Sequence, residues 1–125
     1  MKDVETVRSY LDDAEILLTL AEEASELNHA ALKLRRAITK INPTPVTVGE
    51  AQDMVITELA DISNALDALR FFGATEQSLV EKEKPAKMAR WADRLIKEHG
   101  EKRRAGSPQS GMVSEAADCY EGDRK

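Results

Sequence analysis

Cysteine is almost missing from this chain: Cys119 is the only one among 125 residues. No intrachain disulfide can form, and no cysteine-based zinc site can be built. Aromatic residues are nearly as scarce, with one Trp, two Tyr and two Phe. The core must come from Leu, Ile, Val and Ala, which favours packed helices over a β-sandwich. No apolar run reaches the roughly 18 residues that a membrane span needs. The opening residues Met1-Lys2-Asp3-Val4-Glu5 lack the apolar stretch of a secretory signal. A cytoplasmic protein without membrane contact is the expectation. Positive charge is also in deficit, with 18 Lys and Arg against 23 Asp and Glu, a net charge of −5. That balance argues against a nucleic-acid polymer as the main ligand, since phosphate contacts require a basic face. There is no Walker A loop, no G-x-G-x-x-G and no H-E-x-x-H.

What the chain does have is helical periodicity. Its length suits one domain, placed at residues 1–100, with 101–125 as a polar linker and tail. Val4, Val7 and Leu11 recur at helical spacing and predict a short helix over about 3–11. Leu20, Ala24, Leu27, Ala31, Leu34, Ile38 and Ile41 alternate four and three apart, which predicts a long packed helix over 13–41. Asp12 and Glu15 form a capping box at its start, and Asn42-Pro43-Thr44-Pro45 ends it. Thr47 and Glu50 form a second box. Val55, Leu59, Ile62, Leu66 and Leu69 then carry a third helix over 48–72, up to Gly73. Thr75 caps a fourth over 76–99, kinked or broken at Pro85 and stopped at Gly100. Met88, Trp91, Ala92, Leu95 and Ile96 give that helix an apolar face, and Trp91 is expected in the core or at a contact between copies. Ala105 to Gly111 reads as linker, and Met112 to Tyr120 as one more helical turn or a tail. The fold class is all-α, a four-helix-type bundle completed by oligomerisation, because so wide an apolar stripe would stay exposed on a monomer.

Two acids interrupt otherwise apolar rows. With Ala24 and Leu27 on the seam of the second helix, the row beside it reads Ile16, Glu23, Ala30, Ala37. With Leu59 and Ile62 on the seam of the third, the equivalent row reads Ala51, Glu58, Ala65, Phe72. A second acid follows each by three residues, Glu26 and Asp61, on the same helix face. Asp61 shares a row with Met54 and Ala68, whereas Glu26 shares one with Thr19, Lys33 and Lys40 and suits solvent. Several carboxylates inside a bundle cannot all stay ionised without cations among them. Oxygen-only ligands select hard cations, Mg²⁺ above all, with Mn²⁺ as the other choice. Counted from the connecting loop, the first pair lies about five residues further out, a mismatch of ~7 Å that tilt or an extended loop must absorb. The plain alternative is a set of acids paired with lysines across the seam.

Glu22-Glu23-Ala24-Ser25-Glu26-Leu27 followed by Glu58-Leu59-Ala60-Asp61 resembles the E-x-x-E…E-x-x-D signature of the all-α nucleoside triphosphate pyrophosphohydrolases. These are the MazG-like enzymes, relatives of dimeric dUTPases and phosphoribosyl-ATP pyrophosphatase. The resemblance covers about residues 13–99. It implies a four-helix core assembled as a homodimer or homotetramer, and Mg²⁺ held by Glu23, Glu26, Glu58 and Asp61. It also implies a nucleotide substrate, cleaved between the α and β phosphates to a monophosphate and pyrophosphate. Glu23 is the residue assigned to orient or deprotonate the attacking water.

Half of all Lys and Arg fall between 82 and 104. Lys87, Arg90 and Arg94 share one helix face and suit phosphate oxygens, as does Lys84 nearby; a solvated basic face is the alternative. Asn64, three residues after Asp61, can hydrogen-bond a ribose. Glu26 with His29 forms a Glu-x-x-His, a ligand pattern of di-iron bundles, but Asn64 stands where the second histidine would be needed. His99 reads as a C-terminal helix charge. Cys119 has no base near it in sequence and is not read as a nucleophile. The rival to an enzyme is a non-catalytic helical module that binds a partner or senses nucleotides.

Overall fold

The computed structural model describes residues 2–41 and 45–104. The possible helical turn at 112–120 lies outside the described residues. Four helices are present and, among the described residues, no strand: α1 Lys2–Tyr10, α2 Asp13–Thr39, α3 Val48–Ala68 and α4 Ala74–Arg104. Among the described residues, no helix is long and apolar enough to cross a membrane.

Both capping boxes form as the sequence predicts. The Asp12 carboxylate accepts from the Glu15 N–H (2.9 Å) and Glu15 accepts in return from the Asp12 N–H (3.0 Å). Thr47 and Glu50 repeat the exchange at the head of α3, at 3.1 and 3.2 Å. These bonds satisfy amides that the first helical turn leaves without partners. The C-termini fall short of the predicted ones. α2 closes at Lys40, which takes a left-handed conformation (φ 56°) while its N–H still reaches the Arg36 carbonyl. α3 ends at Ala68 rather than 72. The cause is Asp13, whose carboxylate accepts the Arg70 N–H at 3.0 Å and the Phe71 N–H at 3.2 Å. Those two amides cannot then continue the helical ladder. The carboxyl of Asp13 is held below the usual aspartate value, first by the bond from the Arg70 backbone, then by that from Phe71 and the Arg70 side chain, although partial desolvation opposes them.

α4 departs further from expectation. Its start is set at Gly73, whose N–H bonds Glu76 Oε2 at 2.9 Å, not at Thr75. It runs through Pro85 as one assigned helix and through Gly100 to Arg104, so neither a break nor a stop occurs there.

Packing is concentrated in one hairpin. α2 and α3 lie antiparallel and make most of the tertiary contacts; α1 touches α3. One buried cluster joins Ile16 to Ala65, Ala68 and Leu69, with Leu20 and Leu66 against it. The other joins Ala37 to Val48 and Ala51, with Leu34 and Ile38 against it. The contact line differs from the predicted seam by one residue. Ile16, Ala30, Ala37, Ala51 and Ala65 are buried, whereas Ala24, Ala31 and Leu59 are exposed. Small side chains explain the choice: rows of alanine let two helix backbones approach closely, and the bulkier leucine rows are left on the flank.

α1 is fastened by arginines. Arg8 donates to the carbonyls of Ala68 (2.9 Å) and Asp67 (3.1 Å), and Arg70 donates to those of Leu11 (3.2 Å) and Arg8. α4 makes no contact with α1, α2 or α3 among the described residues, and every residue from 77 to 99 is exposed. The expected four-helix core is therefore not closed within one chain.

Candidate functional site

The shift of the contact line moves the acids. Glu23 and Glu58 were predicted beside the seam; they stand on it, each half-buried between α2 and α3. Ala37 clusters with Val48 and Ala51 at one end, and Ile16 with Ala65 and Leu69 at the other. That register sets Glu23 opposite the Glu58–Asp61 turn and removes the predicted offset of the two pairs. Glu23, Glu58 and Asp61 each present a carboxylate oxygen, and the three oxygens lie within 4.8 Å of one another. Asp61 is the exposed member.

Glu26 is the exception among the four predicted ligands. It is exposed and stands outside this group. Its row faces solvent once the g-row alanines take the helix contact, and only its charge reaches Glu23, as the weakest of the influences there. His29 is likewise exposed and outside the group, so the Glu-x-x-His pattern assembles no cluster with α3.

The carboxyl of Glu23 is pushed above the usual glutamate value. Loss of solvent is the largest cause, followed by the charge of Asp61, a hydrogen bond with Glu58, and the charges of Glu58 and Glu26. Among the described residues, no lysine or arginine forms an ion pair with any of the three; the ion pairs present are Arg8–Glu5, Arg70–Asp13 and Lys84–Glu81. Among the described residues, no ion pair supports the alternative of acids neutralised by lysines across the seam. Three carboxylates with no basic partner form an oxygen-only donor set, which fits a hard divalent cation.

A cavity of about 430 Å³ adjoins the acids. Val4 and Val7 of α1, Leu11, Ile16, Ala65 and Ala68 make its apolar wall, and Asp3, Thr19 and Asn64 add polar groups. Glu23 and Asp61 belong both to this wall and to the acidic group. Asn64 is exposed and lines the cavity together with Asp61. Sequence reasoning missed α1 as part of the site. The signal was there in Val4, Val7 and Leu11, which mark an apolar face on a helix too short to be stable without something to lie on.

Lys87, Arg90 and Arg94 line a shallow depression with Asp93, all on α4. Because α4 contacts neither α2 nor α3, a single chain does not bring this basic row to the acids. Trp91, expected in a core or an interface, is 54% exposed. No protein-family model, no curated protein and no solved structure matches this chain.

Proposed function

We propose that the chain is a divalent-cation-dependent nucleotide pyrophosphohydrolase, which cleaves a nucleoside triphosphate or related nucleotide between the α and β phosphates. The observation that carries this reading is the junction of two unlike surfaces. A group of three carboxylates from two helices, with no ion pair to lysine or arginine among the described residues, opens onto a largely apolar cavity of about 430 Å³. That volume is within the range of small-ligand pockets, roughly 300–1,000 Å³. A ligand that fits both parts has an apolar end and a highly anionic end that needs cations to approach acids.

Glu23, Glu58 and Asp61 are the residues that would hold Mg²⁺ or Mn²⁺. Such a cation, when bound, supplies positive charge to the phosphoryl oxygens and makes water more acidic. The chain's own part is positional. Glu58 and Asp61, one turn apart on α3, fix the α3 side of the group, and Glu23 fixes the α2 side. Glu23, the member of the group supplied by α2, is suited to orient and deprotonate the attacking water. Water oxygen then bonds to the α phosphorus, the bridging oxygen departs with the β phosphate, and the products are a monophosphate and pyrophosphate. Val4, Val7 and Ile16 shelter the nucleoside from water, while Asn64 and Thr19 offer hydrogen bonds to sugar or base.

The test is release of pyrophosphate from a panel of nucleotides, with Mg²⁺ or Mn²⁺ and with chelator. Turnover should require the cation. Glu58→Gln should abolish it while circular dichroism reports unchanged helicity. Full activity in Glu58→Gln protein would remove these residues from the site. Nucleotide-induced thermal stabilisation without turnover on any substrate would replace the enzyme with a nucleotide-sensing module.

A further inference from the structure

We infer that the cavity beside α1 selects a guanine-type base and that Asp3 reads it, an inference that rests on the nucleotide substrate proposed above. Asp3 opens the row of α1 that faces the cavity. It lies one turn before Val7, which lies one turn before Leu11, and all three line the cavity together with Val4. Among the described residues, the Asp3 side chain enters no hydrogen bond and no ion pair. An acid in the first turn suits the positive end of a helix dipole. Glu5 meets that need equally, and it differs in two ways: its carboxylate is engaged by Arg8 at 3.3 Å, and it is no part of the cavity wall.

The polar groups of this wall divide by what they can offer a ligand. Glu23 and Asp61 belong to the acidic group. The Thr19 hydroxyl donates its proton to the Glu15 carbonyl at 3.3 Å, so only its lone pairs are left. Asp3, as a carboxylate, only accepts. Asn64 both accepts and donates. Away from the acidic group, the compartment is therefore rich in acceptors and walled by Val4, Val7, Ile16 and Ala68. Its complement is an apolar ring that carries N–H donors. Asp3 is exposed, so water satisfies it while the cavity is empty. A bound base covers it, and the exclusion of water then strengthens the bonds it accepts.

A carboxylate is matched best by two parallel N–H donors. Guanine offers them, as its ring N1–H beside the exocyclic 2-amino group. The other common bases do not. Uracil and thymine hold a single N–H between two carbonyl oxygens. Adenine and cytosine set their amine beside a ring nitrogen whose lone pair would face the carboxylate. An acceptor placed opposite Asp3 is repelled, so the group that attracts guanine also rejects the rest. Such discrimination is strong, because a mismatched base leaves buried polar atoms without partners.

The test uses the full chain and the conservative variant Asp3→Asn. With Mg²⁺ present, pyrophosphate release should give GTP a kcat/KM roughly ten-fold or more above that of ITP, which differs only in lacking the 2-amino group. ATP, CTP and UTP should also fall below GTP. Asp3→Asn should lose the preference over ITP and gain XTP, because an asparagine amide accepts from N1–H and donates to the carbonyl that replaces the amine. A purely structural role for Asp3 would lower every base together and create no XTP activity. Binding of guanosine and inosine without any cation, followed by ligand-observed NMR, separates base recognition from the chemistry. Guanosine should bind the tighter to wild type and lose that advantage in Asp3→Asn. Turnover with no preference for GTP over ITP overturns the assignment and leaves the pyrophosphohydrolase standing. No turnover on any nucleotide, with guanosine still preferred, removes the hydrolase and keeps the base site. No preference for guanosine over inosine, or one that survives Asp3→Asn, overturns the inference.

Discussion

If the three acids form the proposed cation site, adding a divalent cation should stabilise this fold strongly. The acids stand on the α2–α3 contact, which holds most of the tertiary packing, and they come from both helices. A cation bound there joins the two halves of the hairpin, and the unfolded chain offers no comparable site. Without a cation, Glu23 works against the fold. Its folded pKa lies above the reference 4.5, so between pH 4.5 and that raised value the folded chain holds more protons than the unfolded one. Stability falls as pH rises through this window, and the loss persists at neutral pH. A ligand that binds only the folded state adds about 2.7 kcal/mol at one hundred times its dissociation constant. The packed unit, α1 to the start of α4, spans residues 2–72. For a unit of that size about 1 kcal/mol moves the melting temperature by roughly 4–8 °C, so the expected rise is about 11–22 °C. The assay is thermal unfolding by circular dichroism at pH 7, in chelator and then across a Mg²⁺ or Mn²⁺ titration. Glu58→Gln should lose the rise. Glu23→Gln should also lose it, yet melt higher than wild type in chelator, with the difference vanishing below pH 4.5. A wild-type melting temperature indifferent to both cations would refute the reading of these acids as a cation site.

Three further outcomes follow from the same geometry. Glu26→Gln should leave the cation-induced stabilisation within a few-fold of wild type, because Glu26 stands outside the group, whereas Asp61→Asn should remove most of it; isothermal titration with Mn²⁺ distinguishes them. Asp13→Asn should flatten the acid limb of stability: the folded carboxyl titrates below 3.8, so its contribution is complete above that pH and is lost as pH falls through the depressed value. An unchanged acid limb in urea unfolding from pH 5 downwards would contradict the bonds drawn to Arg70 and Phe71. Ile16→Ala should cost about 2–5 kcal/mol in urea unfolding, since Ile16 is 2% exposed and joins α2 to the end of α3. A loss under ~1 kcal/mol would mean the cluster is not packed as described.

The sequence by itself determined the helices and the N-termini of α2 and α3. Asp12 with Glu15 and Thr47 with Glu50 are local bonds, complete within four residues, so nothing distant can overrule them. It also singled out Glu23, Glu58 and Asp61, because an acid in an otherwise apolar row conflicts with its surroundings wherever the row ends up, and with them Glu26, whose row is polar. What only the tertiary structure decided was which row of each wide apolar stripe becomes the contact. Periodicity cannot separate adjacent rows when both are apolar; packing can, and it took the alanines, which admit a closer approach than the leucines. That choice moved Glu23 and Glu58 from the edge of the hairpin to its middle and left Glu26 in solvent. The end of α3 was equally out of reach, since it depends on a carboxylate at residue 13 capturing amides at 70 and 71, a contact between residues far apart in the chain.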